Sequence, residues 1–212
     1  MSSFFHSAIG VLRRNSSRVK GQSLIEIAIA LPVLLILLSG MVEFGFMLNY
    51  YLSLLDSTRE AARLYSNFDP FLRDEERNPI GNDPDFYQGV AATVLDSLQP
   101  ASEEDTSRKI VLDSDTDDVV VTVFSVDGTN PTRIGEYHWF NNHSSAFSDA
   151  EIASRLYGSA PPTGILLVEV YYDYHQLLAL PWITAFVPNP TMLYAYTMMP
   201  LSAAEPTPTP SP

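Results

Sequence analysis

An apolar run near the N-terminus constrains this chain more than any other feature. Residues 21–42 read GQSLIEIAIALPVLLILLSGMV, and the only charged side chain among them is Glu26. The length approaches the roughly 20 residues that an α-helix needs to cross a bilayer. Apolar residues occupy every face of the run, whereas a surface helix of a soluble protein has one apolar stripe. The sequence therefore predicts a membrane-spanning helix over residues 22–42.

The charges of the chain are divided by this run. Residues 1–21 contain four basic residues and no acid, a charge of +4, so the total of −13 leaves −17 on residues 22–212. The positive-inside rule predicts a cytoplasmic leader over residues 1–21 and an acidic body on the other side of the membrane. An acidic body disfavours nucleic-acid binding, which needs clustered cations. The chain has no Cys, which excludes disulfides, thiolate catalysis and Cys-based zinc sites.

The helix is expected to continue beyond the membrane. A cleavable signal peptide also has a basic segment and an apolar core, but the chain continues as LLSGMVEFG with no A-x-A cleavage site, so a retained span is favoured. Residues 43–67 contain no Pro, and apolar side chains recur at spacings near three and four, which predicts helix to about residue 67. The positions at this spacing are Phe44, Met47, Tyr51, Leu54, Leu55, Ala62 and Leu64.

Several positions along this helix resemble a known family. Gly21, followed by Gln22 and Glu26 after a basic leader, resembles the prepilin peptidase site of type IV pilins and pseudopilins. The longer string over residues 21–63 resembles the TadE/TadG-like domain of the Tad (Flp, type IVc) pilus assembly system. The positions that carry this resemblance are Gly21, Gln22, Glu26, Ala30, Leu31, Pro32, Val42, Glu43, Phe44, Gly45, Ala61, Ala62 and Arg63.

The resemblance implies a role for the first of these positions. A prepilin peptidase would cleave the Gly21–Gln22 bond, and Glu26 would then meet the freed N-terminal amine of a neighbouring pilin-like subunit. An acid inside a membrane is costly without a partner, which supports a functional Glu26. Alternatively, Glu26 lies six residues after Lys20 and extends to the cytoplasmic interface. Ile27 stands where pseudopilins of this family usually have an aromatic residue.

The boundary acid has a different interpretation. Glu43 follows the apolar run directly. At that position we expect a solvated or interfacial charge at the outer end of the span, and no catalytic role.

The rest of the chain predicts an α+β head over residues 68–201, with a small, mainly antiparallel sheet packed with helices. Residues 67–82 are polar and rich in Pro and Gly, which indicates a surface loop. Asp83 before Pro84 predicts a helix over residues 84–98. Ser148 and Glu151 form a capping-box pattern for a short helix that ends at Gly158. The predicted strands are residues 119–126, 165–174 and 192–199.

Two segments near the C-terminus remain. Residues 177–187, LLALPWITAFV, are apolar but too short to span a bilayer. Core packing, or a loop packed against the long helix, is favoured for them over a contact with a subunit or the membrane surface. Residues 202–212 are Pro-rich and predict a disordered tail, which favours a passive end over a spacer or partner ligand.

The polar clusters of the head do not form a known catalytic motif. Residues 113–118, DSDTDD, imitate the start of a calcium loop, but Asp118 stands where an EF-hand needs Gly and Phe124 where it needs Glu. An acidic turn before a strand is favoured over a looser calcium site. His138, His143 and His175 could donate imidazoles to a metal, but their spacing does not predict convergence. No hydrolase, phosphate-loop or dinucleotide motif occurs, so we predict no enzyme and no cofactor.

The sequence as a whole favours a minor pilin or pseudopilin in the cytoplasmic membrane, with a cytoplasmic N-terminus and an extracytoplasmic head. The resemblance implies that it supports pilus biogenesis or tip initiation. It also implies prepilin peptidase, Tad pilus assembly proteins and other pilin-like subunits as partners. The alternative is an uncleaved, N-terminally anchored binding or adhesion domain.

Overall fold

The computed structural model describes residues 16–99, 109–156 and 162–204, with side chains from residue 22 onward. The chain divides into two compact units between Val42 and Glu43. The first helix, α1, runs from Ser16 to Tyr65 and contributes to both, ending two residues before the predicted position.

The first unit consists, in its described part, of the apolar portion of α1. The helix is long and apolar enough from Gln22 onward to cross a membrane, and no other helix among the described residues is. The large apolar side chains between Leu24 and Val42 are all exposed. Such a surface in water would be far larger than the apolar patches that soluble monomers expose, which favours a lipid environment.

The second unit is an α+β head with an antiparallel sheet, as predicted. The sheet has four strands, in which Asn130–His138, Asp118–Asp127, Thr163–Tyr174 and Thr191–Pro200 are neighbours in that order. The helices of the head after α1 are α2 (Pro84–Leu98), α3 (Asp149–Arg155) and α4 (Pro181–Thr184). Its strands are β1 (Phe71–Arg73), β2 (Pro79–Asn82), β3 (Asp118–Asp127), β4 (Asn130–His138), β5 (Thr163–Tyr174) and β6 (Thr191–Pro200), and a 3₁₀ turn follows at Ser202–Ala204.

The main core lies between one face of the sheet and two helices. It contains Leu54 of α1, Val90 of α2, and Val121 and Val168 of the sheet, all fully buried. The other face of the sheet carries a smaller cluster of Phe124, Phe147, Ile152 and Leu167 beneath α3. The sheet is therefore covered on both faces.

The buried side of α1 in the head includes only some of the predicted apolar positions: Leu54 and Ala62 are fully buried, and Met47 and Leu55 pack against the main core. Phe44, Tyr51 and Leu64 are exposed. The inward positions follow spacings of four and three, and they are Glu43, Met47, Tyr50, Leu54, Ser57 and Ala61. Apolar residues occur on both sides of this helix, so periodicity alone could not select the buried side.

The local helix signals are confirmed. The bounds of α2 agree with the prediction, and the Asp83 side chain accepts a hydrogen bond from Asp85 N at 3.0 Å. The capping box of α3 is present, because Ser148 Oγ accepts from Glu151 N and Glu151 Oε2 accepts from Ser148 N. The predicted end at Gly158 lies outside the described residues.

Two parts of the head were predicted incorrectly. Within the predicted loop over residues 67–82, β1 and β2 pair as a small antiparallel hairpin. Strand β4 was missed because Pro131 and Gly135 interrupt its β pattern. It lies at an edge of the sheet, where Pro is tolerated, and a Cβ at position 135 would overlap the hydroxyl of Tyr87.

Residues 177–187 do not belong to the core, but they form a loop against the long helix, the other structure predicted for them, because Leu177 N and Leu178 N donate to Glu43 of α1. Phe186 is 88% exposed, and Leu177, Leu178, Trp182 and Val187 are exposed as well. The segment leaves the sheet after β5 and includes the short helix α4. Of the predicted tail, Ser202–Ala204 form the 3₁₀ turn with Ala204 buried, and residues 205–212 lie outside the described part.

Candidate functional site

Glu26 lies on the exposed surface of the first unit. Gln22 Nε2 donates a hydrogen bond to Glu26 Oε1 across one helical turn, at 3.5 Å. Beside Glu26 lies a shallow apolar depression along the helix, lined by Ile29, Ala30, Val33, Leu34 and Leu37. Gly21 lies within α1 by its backbone. The carboxylate is therefore accessible to a group from outside this helix.

Glu43 occupies a different environment from the one predicted. Its side chain is buried, with the residue only 5% exposed, so it is not a solvated boundary charge. Tyr174 Oη donates to Glu43 Oε1 at 2.6 Å, and Leu177 N donates to the same oxygen at 2.9 Å. Leu178 N donates to Oε2 at 2.8 Å. We call Glu43 and these three donors the Glu43 clasp.

The clasp stabilises a carboxylate that would otherwise be costly to bury. Hydrogen bonds to an ionised acceptor are stronger than neutral ones, and together they offset the loss of hydration. Burial, and then the hydrogen bond to Glu43, raise the pKa of Tyr174 well above its usual value. Because the donors belong to β5 and the turn after it, the arrangement joins the part of α1 that begins at Glu43 to the sheet of the head.

Aromatic rings extend the clasp along α1. Tyr50, two turns after Glu43, stacks on Tyr172 with ring centroids 5.9 Å apart. The same ring meets Tyr174 edge to face at 5.2 Å. Thr58 continues the contact, since its hydroxyl lies 2.8 Å from that of Thr197 in β6.

The closing positions of the family pattern lie where α1 packs on the head. Ala61 and Ala62 are fully buried in the main core. Larger side chains at these positions would overpack a close contact, which gives the small residues a physical reason. Arg63 is exposed in the last turn, where a cation complements the helix dipole.

The middle positions of the pattern are exposed. Leu31 and Pro32 lie on the surface of the first unit, and Phe44 and Gly45 on that of α1 in the head. The structure assigns no partner to them, so their part in the site stays a prediction.

The acidic turn at the start of β3 accepts hydrogen bonds from the loop that follows β4. Both oxygens of the buried Asp118 accept backbone hydrogen bonds, from Val119, Phe140, Asn142 and His143 at 2.8–3.0 Å. Asp117 accepts from Asp173 N at 2.7 Å and Asp113 N at 2.8 Å. These carboxylates are occupied by amide donors, which favours the structural interpretation of the turn.

The histidines also contact carbonyl groups. His138 Nδ1 donates to His143 O at 2.7 Å, and His143 Nε2 donates to Thr116 O at 2.9 Å. The His143 ring stacks on Tyr171 at 4.4 Å. Among the described residues, no three His, Asp or Glu side chains form a group that could hold a metal ion.

Sequence reasoning missed a buried acid on β5. Glu169 is fully buried, and an amide of the loop after β4 donates to it. Its Oε1 accepts from Ala146 N at 3.0 Å and from the hydroxyls of Tyr194 and Tyr171 at 2.6 and 3.2 Å. Burial and the proximity of Glu169 raise the pKa of both tyrosines. An acid placed between two valines in the middle of an apolar strand was the available signal.

The fold and the clasp together define a class of protein in which a long apolar helix is joined to an α+β head. Comparison with known families identifies the helix: the family model described as TadE-like protein matches residues 21–63. The predicted resemblance is thereby confirmed over that segment, about a fifth of the chain. None of the curated proteins and none of the solved structures matches the chain.

Proposed function

We propose that this chain is a minor pilin or pseudopilin-like component of Tad (Flp) pilus assembly, anchored in the cytoplasmic membrane by residues 22–42. In this role it supports pilus biogenesis or tip initiation. The observation that carries the proposal is the TadE-like match over the apolar part of α1 and its continuation into the head. The exposed apolar side chains before Glu43 support membrane anchoring.

The proposal includes processing by a prepilin peptidase. Cleavage of the Gly21–Gln22 bond removes the four basic residues of the leader and makes Gln22 the N-terminus. Gly21 has no side chain, so the bond can lie extended in a protease.

Glu26 has a defined task in the proposal. Its exposed carboxylate receives the N-terminal amine of a neighbouring pilin-like subunit within the membrane boundary. Pairing with this cation offsets the cost of placing the acid there. The adjacent apolar depression supports a helix packing beside it.

The test is complementation in a strain that lacks the gene. Deletion should reduce surface pili, and the wild-type chain should restore them. Glu26→Ala should reach the membrane at the normal level but stay out of sheared pili, whereas Asp56→Ala, an exposed acid of the same helix, should be incorporated. Incorporation of Glu26→Ala would remove the role given to the carboxylate. Unchanged pili in the deletion strain would support the anchored binding domain instead.

A further inference from the structure

The exposed segment over residues 177–187 is held at a particular place in the chain. Leu177 and Leu178 donate their amides to Glu43, the residue directly after the apolar run. Gln176 closes the base of the segment, because its Nε2 donates to Val187 O at 3.1 Å and its backbone N donates to Asn189 Oδ1 at 3.1 Å. The segment is therefore a closed apolar loop attached where the predicted span ends. We call residues 177–187 the apolar loop.

The chain on both sides of the apolar loop, and the part of α1 that follows Glu43, have few charged residues. No Asp, Glu, Lys or Arg occurs between Asp173 and Glu205, although residues 22–212 together carry −17. In α1, no charged residue lies between Glu43 and Asp56, and Phe44, Phe46, Leu48 and Leu52 are exposed there. The carboxylate of Glu43 is itself covered by the clasp. An uncharged apolar surface on an acidic protein avoids repulsion by anionic headgroups.

We propose that the apolar loop binds the outer leaflet of the bilayer that α1 crosses. This inference rests on the proposed membrane anchoring. Trp and Phe favour the membrane interface, and the loop presents Trp182 and the highly exposed Phe186. Lipid is favoured over a second copy of the chain because the clasp ties the loop to Glu43, the residue directly after the predicted span.

Tryptophan fluorescence tests this directly, because the chain has two Trp residues. In the Trp139→Phe variant, the fluorescence comes from Trp182 alone. In the matched Trp182→Phe variant, it comes from Trp139 alone, which packs against the main core. The full chain is reconstituted in phosphatidylcholine–phosphatidylglycerol vesicles whose acyl chains carry bromine near the headgroup. Trp182 emission should be quenched by the brominated lipid and shielded from acrylamide, and Trp139 should lack the lipid quenching.

A second substitution shows whether the loop itself makes the contact. Phe186→Glu in the Trp139→Phe background should abolish most of the quenching of Trp182. Ile80→Glu, at an exposed apolar position of β2, should leave it unchanged. Neither side chain belongs to the core, and circular dichroism checks that both variants fold.

Vesicle flotation separates failure of this inference from failure of the anchor. If the chain floats with the vesicles but Trp182 is insensitive to brominated lipid, the inference is overturned while the anchor stands. Shielding of Trp182 that rises with protein density, without lipid quenching, also overturns it in favour of a second copy. A chain that does not float overturns the anchor and this inference with it.

Discussion

Replacing Glu43 with Ala removes the acceptor of the clasp and leaves three donors without it. The hydroxyl of Tyr174 is the most affected, because that residue is buried and water cannot reach it. The amides of Leu177 and Leu178 belong to exposed residues and can recover a bond to solvent. An unpaired buried donor costs about 1–3 kcal/mol, so Glu43→Ala should lower the free energy of unfolding of the head by that amount.

Two further variants show how much of the stability lost in Glu43→Ala comes from the hydrogen bond with Tyr174. Tyr174→Phe removes one donor but leaves both amides on the carboxylate, so we expect a loss of about 1–2 kcal/mol. Because the two side chains share a hydrogen bond of 2.6 Å, the double variant should lose less than the sum of the single losses, with a coupling of about 0.5–3 kcal/mol. Asp56→Ala, an exposed acid on α1, serves as the control.

The assay is urea unfolding of the full chain in detergent micelles, followed by Trp fluorescence. Hydrogen–deuterium exchange over residues 175–180 provides a local measurement. In Glu43→Ala these amides should exchange faster, and in Asp56→Ala at the wild-type rate. A Glu43→Ala variant as stable as the wild type, with the amides still protected, would refute the clasp.

Three other variants or conditions test the head by the same unfolding assay. Asp118→Asn replaces an acceptor oxygen by a donor and should cost about 2–3 kcal/mol, and an unchanged stability would contradict its support of the loop after β4. Gly164→Ala adds a Cβ that would overlap the carbonyl of Leu201, so it should lower the free energy of unfolding by about 1–3 kcal/mol. Gly81→Ala adds a Cβ in open space, so its stability should lie within about 0.5 kcal/mol of wild type. Equal effects of the two substitutions would contradict the packing around Gly164. Burial raises the pKa of Tyr172 to about 12. The buried tyrosines whose pKa is raised should contribute their full stability below about pH 10, and this contribution should be lost as the pH rises through their folded pKa values. An absorbance titration in which all tyrosines ionise together near pH 10 would contradict this.

Local sequence chemistry predicted the elements whose signals lie within a few residues. Asp83 with Pro84 begins α2, and Ser148 with Glu151 begins α3, because each cap satisfies amides of its own first turn. Strand β4 could not be predicted in this way. In the sequence, Pro131 and Gly135 indicate the end of a strand. The strand forms because it pairs with β3 and because Gly135 leaves room for Tyr87, and both contacts are between distant segments.

The candidate site was predictable in position but not in its contacts. The family pattern located Glu26 and Glu43, but the hydroxyl that meets Glu43 lies 131 residues away in the chain. Hydropathy also could not distinguish a buried segment from an exposed apolar one, so core packing and a loop against the long helix both remained open for residues 177–187. Both limits concern tertiary contacts between distant segments, about which local patterns carry no information.

The mature N-terminus tests the central claim most directly. The chain is expressed with and without its cognate prepilin peptidase, and the N-terminus of the membrane-bound protein is determined by mass spectrometry. The pilin-like account predicts a chain that begins at Gln22 only when the peptidase is present, and no cleavage in the Gly21→Trp variant. An intact N-terminus at Met1 or Ser2 under both conditions would contradict it.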